Sequence, residues 1–165
     1  KVTAVDINPE AVKLAKNNFS RNRSKNAAAF CGDLFAPVKG ERFSLIVSNP
    51  PFSPFPQNRV SLPSPDGRDV LDRLINESLE YLGADGVLLF SQSSIAGLGK
   101  TKRMVEKASL VFSVVSKNRL ELDDEDAKEI AFMKNAARLN KGKVWEERNK
   151  FYEEVYVVIA VHESF

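Results

Sequence analysis

The sequence predicts an α/β fold built around an open sheet, and three observations carry that prediction. Short apolar runs alternate along the 165 residues with segments of helical period. Most of those runs are apolar at consecutive positions, the pattern of strands covered on both faces. Several end on an acid or an amide followed by turn residues, which is where open α/β sheets place their ligands.

Val2 to Val5 is a β-type run closed by Asp6, and Asn8-Pro9-Glu10 then opens a helix. Asn8 suits the N-cap and Pro9 the first helical position. Ala11, Val12, Leu14, Ala15 and Phe19 are expected on one helical face. Residues 22–26 form a polar turn. Ala27 to Cys31 is a second strand, with Cys31 expected to be buried, and it ends in Gly32-Asp33-Leu34-Phe35. Phe43 to Val47 is a third strand. Residues 53–67 carry Pro54, Pro56, Pro63 and Pro65 and read as a long loop, a length that tends to be functional.

A helix is expected over 68–82, closed by Gly83 and Gly86. Val87 to Phe90 is a fourth strand, 99–109 a helix, Val111 to Val115 a fifth strand and 125–139 a helix. Tyr156 to Val161 is the last strand. Residues 123–150 read as a solvated insertion before it, with Trp145 and Phe151 as packing residues. No repeat or domain boundary is visible, so residues 1–165 are expected to form one domain.

Composition narrows the chemistry. A net charge of +2 implies no general preference for polyanions. No apolar run approaches the roughly 18 residues of a membrane helix, and no signal-peptide pattern is visible. The lone Cys31 suits a reducing cytoplasm. One Cys and one His argue against a metal centre and against a Ser-His-Asp triad. The basic positions Lys13, Lys16, Arg21, Arg23 and Lys25, and Lys100, Lys102, Arg103 and Lys107, read first as solvated helix faces and second as a nucleic-acid surface.

Three strand ends carry the candidate chemistry. Asp6 could accept from the hydroxyls of a ribose; the alternative is a helix-start acid. Asp33 could accept from an adenine amine, since an ionised carboxylate is acceptor-only; the alternative is a turn Asp beside Gly32. Ser48-Asn49-Pro50-Pro51-Phe52 is the more specific signal. Two prolines stop a strand and leave carbonyls without N–H donors. The Asn49 amide oxygen and the Pro50 carbonyl could both accept from one planar NH2 group, localising the nitrogen lone pair. Phe52 could stack on a flat substrate, worth about 1–3 kcal/mol in nucleic-acid cases. Phe55 is a second substrate-contact candidate. These strand ends are expected to form one crevice.

On these residues the sequence resembles the class I S-adenosylmethionine-dependent methyltransferases, in particular the HemK-like small-domain group. The carrying stretches are VTAVDINPEAVKLAKNN (2–18), GDLF (32–35), SNPPF (48–52) and the segment from DGRDVLDR onward (66–94). The resemblance implies a Rossmann-like sheet, mostly parallel with an antiparallel last strand. It implies S-adenosylmethionine as cofactor, bound by Asp6, Ile7, Asp33, Leu34 and Asn49. It assigns Asn49, Pro50, Pro51 and Phe52 to the target nitrogen. The implied substrate is a glutamine amide of a protein such as a release factor. An adenine N6 or guanine N2 amine of RNA or DNA is the alternative; Phe52, where glutamine-modifying members usually carry Tyr, leans that way, and the DGRDVLDR stretch leans back toward the HemK-like side. A small activating subunit is compatible with the resemblance.

The family's first strand and glycine-rich loop would precede Lys1, so the chain is expected to begin inside a longer methyltransferase. By itself it is expected to bind cofactor weakly. A non-catalytic interaction module is the rival reading from another class. A dinucleotide-dependent oxidoreductase would share Asp6 but has no use for SNPPF.

Overall fold

The structure, a computed structural model, describes residues 1–51, 64–122 and 127–163. They divide into two compact units, Lys1–Arg42 and Phe43–Phe165.

In the first unit β1 (Val2–Asp6) pairs in parallel with β2 (Ala27–Cys31), joined by helix α1 (Pro9–Arg21). Parallel neighbours need a crossover of this kind. Asn8 caps the helix, its side chain accepting from the Glu10 backbone N–H at 3.0 Å. Val12 is buried and Ala11, Ala15 and Phe19 are half-buried. Leu14 departs from the expectation: it is 59% exposed. Its position falls well round the helix from Val12, since successive residues step about 100°. Gly32 to Val38 closes the unit, with Phe35 and Val38 buried and a 3₁₀ turn over Ala36–Val38.

In the second unit the strands are β3 (Phe43–Ser48), β4 (Leu82–Ser93), β5 (Leu110–Glu121), β6 (Trp145–Glu147) and β7 (Lys150–His162). The sheet order is β3-β4-β7-β5, with β6 also on β7. β3 and β4 are parallel, while β7 is antiparallel to β4, β5 and β6. The last strand therefore runs against the other described strands of its sheet, as expected. Helices α2 (Asp69–Ser78), α3 (Leu98–Lys107) and α4 (Ala127–Asn140) complete the unit. The core takes Leu88 and Phe90 of β4, Val158 and Ala160 of β7, and Leu71, Leu74 and Ile75 of α2. The α2 set follows the helical i, i+3, i+4 period.

Four expectations change. The 68–82 helix ends at Ser78, and Leu82 already belongs to β4. Residues 83–86 form an irregularity inside the strand: Phe43 pairs with Leu82 but Leu45 with Val87. The last strand starts at Lys150, not Tyr156, because it turns out of β6 through Arg148 and Asn149, both at positive φ (50° and 64°). That pair of left-handed residues is the type I′ geometry that matches strand twist. The 123–150 stretch is not wholly solvated. Ile130, Met133, Ala136 and Ala137 of α4 form a buried cluster with Ile95, and Val144 and Phe151 pack against it.

The sheet is also less covered than its apolar strands suggest. Leu45, Val47 and Val115 are more than half exposed.

Candidate functional site

The first unit brings four of the expected residues to the carboxyl end of its two strands. Asp6 and Cys31 are partners across the parallel ladder, and the Gly32 N–H donates to the Asp6 carbonyl at 3.0 Å. The Asp6 Oδ1 accepts from the Asn8 backbone N–H at 2.7 Å. The acid thus does shape the helix start, as the alternative reading held. A carboxylate offers about four acceptor positions, so this bond leaves Oδ2 and part of Oδ1 for an outside donor on an exposed side chain. Ile7 follows, nearly half exposed, and its carbonyl lies 3.6 Å from Cys31 Sγ. Cys31 itself is exposed, against expectation. It shares a strand face with buried Ala29 but sits at the strand's last position.

Asp33 and Leu34 occupy the turn after β2. The Ala36 N–H donates to the Asp33 carbonyl at 3.0 Å, and the Asp33 side chain is exposed. Leu34 lies in the left-handed region at φ 45°, where a residue with a Cβ pays roughly 1–2 kcal/mol. Gly32 is required by packing. A Cβ there would lie 2.3 Å from Pro37 Cγ.

The second unit holds Asn49, Pro50 and Pro51. Ser48 pairs with Phe90, so Asn49 leaves β3 beside Ser91 of β4. The Ser91 hydroxyl donates to Asn49 Oδ1. Asn49 is exposed and Pro50 buried. Phe52 and Phe55, with residues 53–63 of the Pro-rich stretch, lie outside the described residues.

Sequence reasoning missed two features. One is Ser91. The other is a polar cluster around the segment DGRD. Arg68 is fully buried; its Nη1 donates to the Ala96 carbonyl and to Thr101 Oγ1 at 3.0 Å. Its Nε and Nη2 hold Asp72 Oδ1 at 2.8 and 2.6 Å. Lys100, expected on a solvated face, reaches Asp66 Oδ2 at 3.0 Å. Burial pushes the Asp66 carboxyl up, but hydrogen bonds from Lys100, Ser64 and the Arg68 N–H outweigh it and hold the acid below its ordinary value. Asn140, at the end of α4, donates to the carbonyls of Asp66 (2.7 Å) and Ile95 (3.3 Å). Gly97, at φ 72°, lets that helix end approach: a Cβ would lie 2.1 Å from the Asn140 carbonyl oxygen. Across the sheet, Ser93 donates to the buried Glu153 carboxyl, whose acidity burial weakens.

Among the described residues no three His, Cys, Asp or Glu side chains are grouped to hold a metal, and no helix is long and apolar enough to cross a membrane.

Residues 1–113 match the methyltransferase small domain family. A Methanocaldococcus jannaschii protein named for N5-glutamine methylation is 38% identical over 134 residues, 76% of this chain and 66% of that protein. The ribosomal protein uL3 glutamine methyltransferase of Bradyrhizobium diazoefficiens is 29% identical over 153 residues, 84% of this chain and 44% of that protein. The chain therefore spans less than two thirds of either relative's length, narrowly so for the first. The crystal structure of a ribosomal protein L11 methylase from Lactobacillus delbrueckii aligns with 99% of this chain and 59% of its own, at TM-score 0.56 and 19% identity. At that identity the likeness speaks to fold: a Rossmann-like class I methyltransferase sheet.

Proposed function

The chain belongs to the methyltransferase small domain family, and from that membership we propose that it moves a methyl group from S-adenosylmethionine to the side-chain amide nitrogen of a protein glutamine. The observation that carries the proposal is the Asn49 carboxamide at the end of β3, its oxygen held by Ser91 and followed by two prolines. Both curated relatives described above are named for glutamine methylation, which supports the substrate class. The family match over residues 1–113 runs from the first unit into the second, which supports reading them as parts of one domain.

The residues present fit the cofactor's chemistry. Ribose hydroxyls are donors, and Asp6 keeps unused acceptor capacity on an exposed carboxylate at a strand end. Asp33 offers an exposed carboxylate for an adenine amine, with Ile7 and Leu34 as apolar flanks. When bound, S-adenosylmethionine would supply an electrophilic methyl carbon on a cationic sulfur, a leaving group that would retain the bonding pair.

Asn49 Oδ1 and the Pro50 carbonyl accept the two N–H bonds of the substrate amide. A planar amide nitrogen shares its lone pair with the adjacent carbonyl and is a poor nucleophile. Two acceptors on that nitrogen draw the lone pair back onto it and aim it. So aimed, the nitrogen would be the nucleophile toward the methyl carbon, and its surplus proton would pass to water afterwards, so no general base is required. Phe52 and Phe55 complete the proposal as walls for the flat substrate. The rate gain comes mainly from positioning.

The test supplies the purified protein with labelled S-adenosylmethionine and, separately, a release-factor protein, a ribosomal protein and ribosomal RNA. Label on a glutamine side chain, reduced at least about 100-fold by Asn49→Ala, is the expected result. Label on RNA instead would assign the nucleic-acid amine. No label on any of them, from a protein shown to bind S-adenosylmethionine, would overturn the enzymatic reading in favour of an interaction module.

A further inference from the structure

This inference rests on the reading of Asn49 just given. We infer that Ser91 is a positioning residue: its hydroxyl holds the Asn49 carboxamide in place, with Oδ1 bonded and turned to the substrate nitrogen.

A carboxamide has two nearly equivalent orientations related by a 180° turn about χ2. One presents an acceptor oxygen, the other a donor NH2. Only the first can receive an N–H from an amide substrate; the second would set donor against donor. An exposed asparagine with no partner would sample both. Asn49 is exposed, so its side chain needs a partner to hold it still.

The sheet supplies that partner. β3 and β4 run parallel with Ser48 opposite Phe90, which brings Asn49 and Ser91 side by side. Leu88, Phe90 and Gln92 point to the buried face of β4, so Ser91, between them, stands on the other face. On the far side of β4 its ladder partner is Val157, which offers no polar side-chain atom. The Ser91 hydroxyl therefore turns toward β3, where it donates to Asn49 Oδ1. A carbonyl oxygen has two acceptor positions. Ser91 takes one and leaves the other for the substrate, with the oxygen already pinned. Pinning before the substrate arrives removes an ordering step from the reaction.

The experiment measures kcat and KM for methyl transfer to a glutamine-containing protein substrate by four forms: unsubstituted, Ser91→Ala, Ser91→Thr and Ser91→Ala in an Asn49→Ala background. Ser91→Ala should lower kcat about tenfold, the rate equivalent of one neutral hydrogen bond. KM for S-adenosylmethionine and the unfolding midpoint should not move. Ser91→Thr, which keeps the hydroxyl, should restore kcat. In the Asn49→Ala background the Ser91 change should add no further loss, because Ser91 acts only through Asn49. An unchanged kcat in Ser91→Ala, a Thr variant as slow as the Ala variant, or an additive loss in the double variant would each overturn the inference. An unsubstituted protein that binds S-adenosylmethionine yet transfers nothing overturns the reading of the site itself, and this inference falls with it.

Discussion

Replacing Arg68 by methionine removes a charged group that has no contact with solvent. Its guanidinium donates to the Ala96 carbonyl, the buried Thr101 hydroxyl at 3.0 Å, the Asp72 carboxylate at 2.6 Å and, more weakly, Met104 Sδ at 3.5 Å. Methionine is similar in length, so the apolar stem is replaced and the cavity is small. What is lost is polar. Breaking a buried ion pair by removing one partner costs about 3–5 kcal/mol. Asp72 keeps about 29% of its side chain in water and has Lys100 at 3.8 Å, so the stranded charge costs less than in a sealed pair. The Ala96 carbonyl then loses the bond from Arg68, at about 1–3 kcal/mol for a stranded group. Together these set the expected loss at about 3 kcal/mol, out of a typical total of about 5–15 kcal/mol. Trp145, the chain's one tryptophan, lies on β6 of the same unit and reports its unfolding. With a urea slope near 2 kcal/mol/M, the midpoint should fall by about 1.5 M at unchanged slope. A fall equivalent to less than about 0.5 kcal/mol is what exposed surface positions give. It would refute the view that Arg68 ties α2, α3 and the 3₁₀ turn at Ser94–Ala96 together.

Three further outcomes are expected. Gly32→Ala should destabilise the first unit by about 1–3 kcal/mol, because the new Cβ lies 2.3 Å from Pro37 Cγ and the turn must shift; faster hydrogen exchange of the β2 amides would report it. Glu153→Gln should stabilise the protein at neutral pH. Burial raises the folded carboxyl's pKa above the ordinary 4.5, so the native state favours the protonated acid, and ionisation costs stability as pH rises through the folded value. The variant's advantage in unfolding free energy should shrink to nothing as pH falls below that range. Asp66→Asn should do the reverse. The folded Asp66 pKa lies below the ordinary 3.8, so its carboxylate contributes stability above that value and loses it as pH falls through the folded pKa. A deficit of Asp66→Asn at pH 7 that fades in acid is the expected profile; a pH-independent deficit would contradict it.

What was legible in the sequence is what neighbouring residues enforce. Asn8 and Pro9 open α1 where the capping rules put it, since both act on the backbone within two residues. Asp6 and Asn49 stand at strand ends because each run stops at its own punctuation, a turn acid in one case and two prolines in the other. The misses are positions where one local signal serves two structures. A glycine pair after an apolar helix reads as a cap, yet Gly83 and Gly86 sit in an irregularity inside β4. Polar residues at Glu153 and Glu154 made the start of β7 look like loop. Glu153 is in fact buried, and its carboxyl accepts from a serine sixty positions earlier.

The candidate site divides in the same way. The groups that would touch substrate or cofactor at Asp6, Asp33 and Asn49 can be named one at a time from local pattern. The groups that orient them cannot. Ser91 meets Asn49 across 42 positions, and Arg68 meets Ala96 and Thr101 across 28 and 33. None of those residues carries a mark in its own neighbourhood. Ser91 is one hydroxyl in the run Ser91-Gln92-Ser93-Ser94, and its special role follows only from strand register. A shift of one residue would turn its side chain to the buried face and leave the Asn49 oxygen without its partner. The register is held by the apolar residues on the other face, Leu88 and Phe90, which must stay inside. In this way the packing of the core determines which side chain holds Asn49 in place for a substrate.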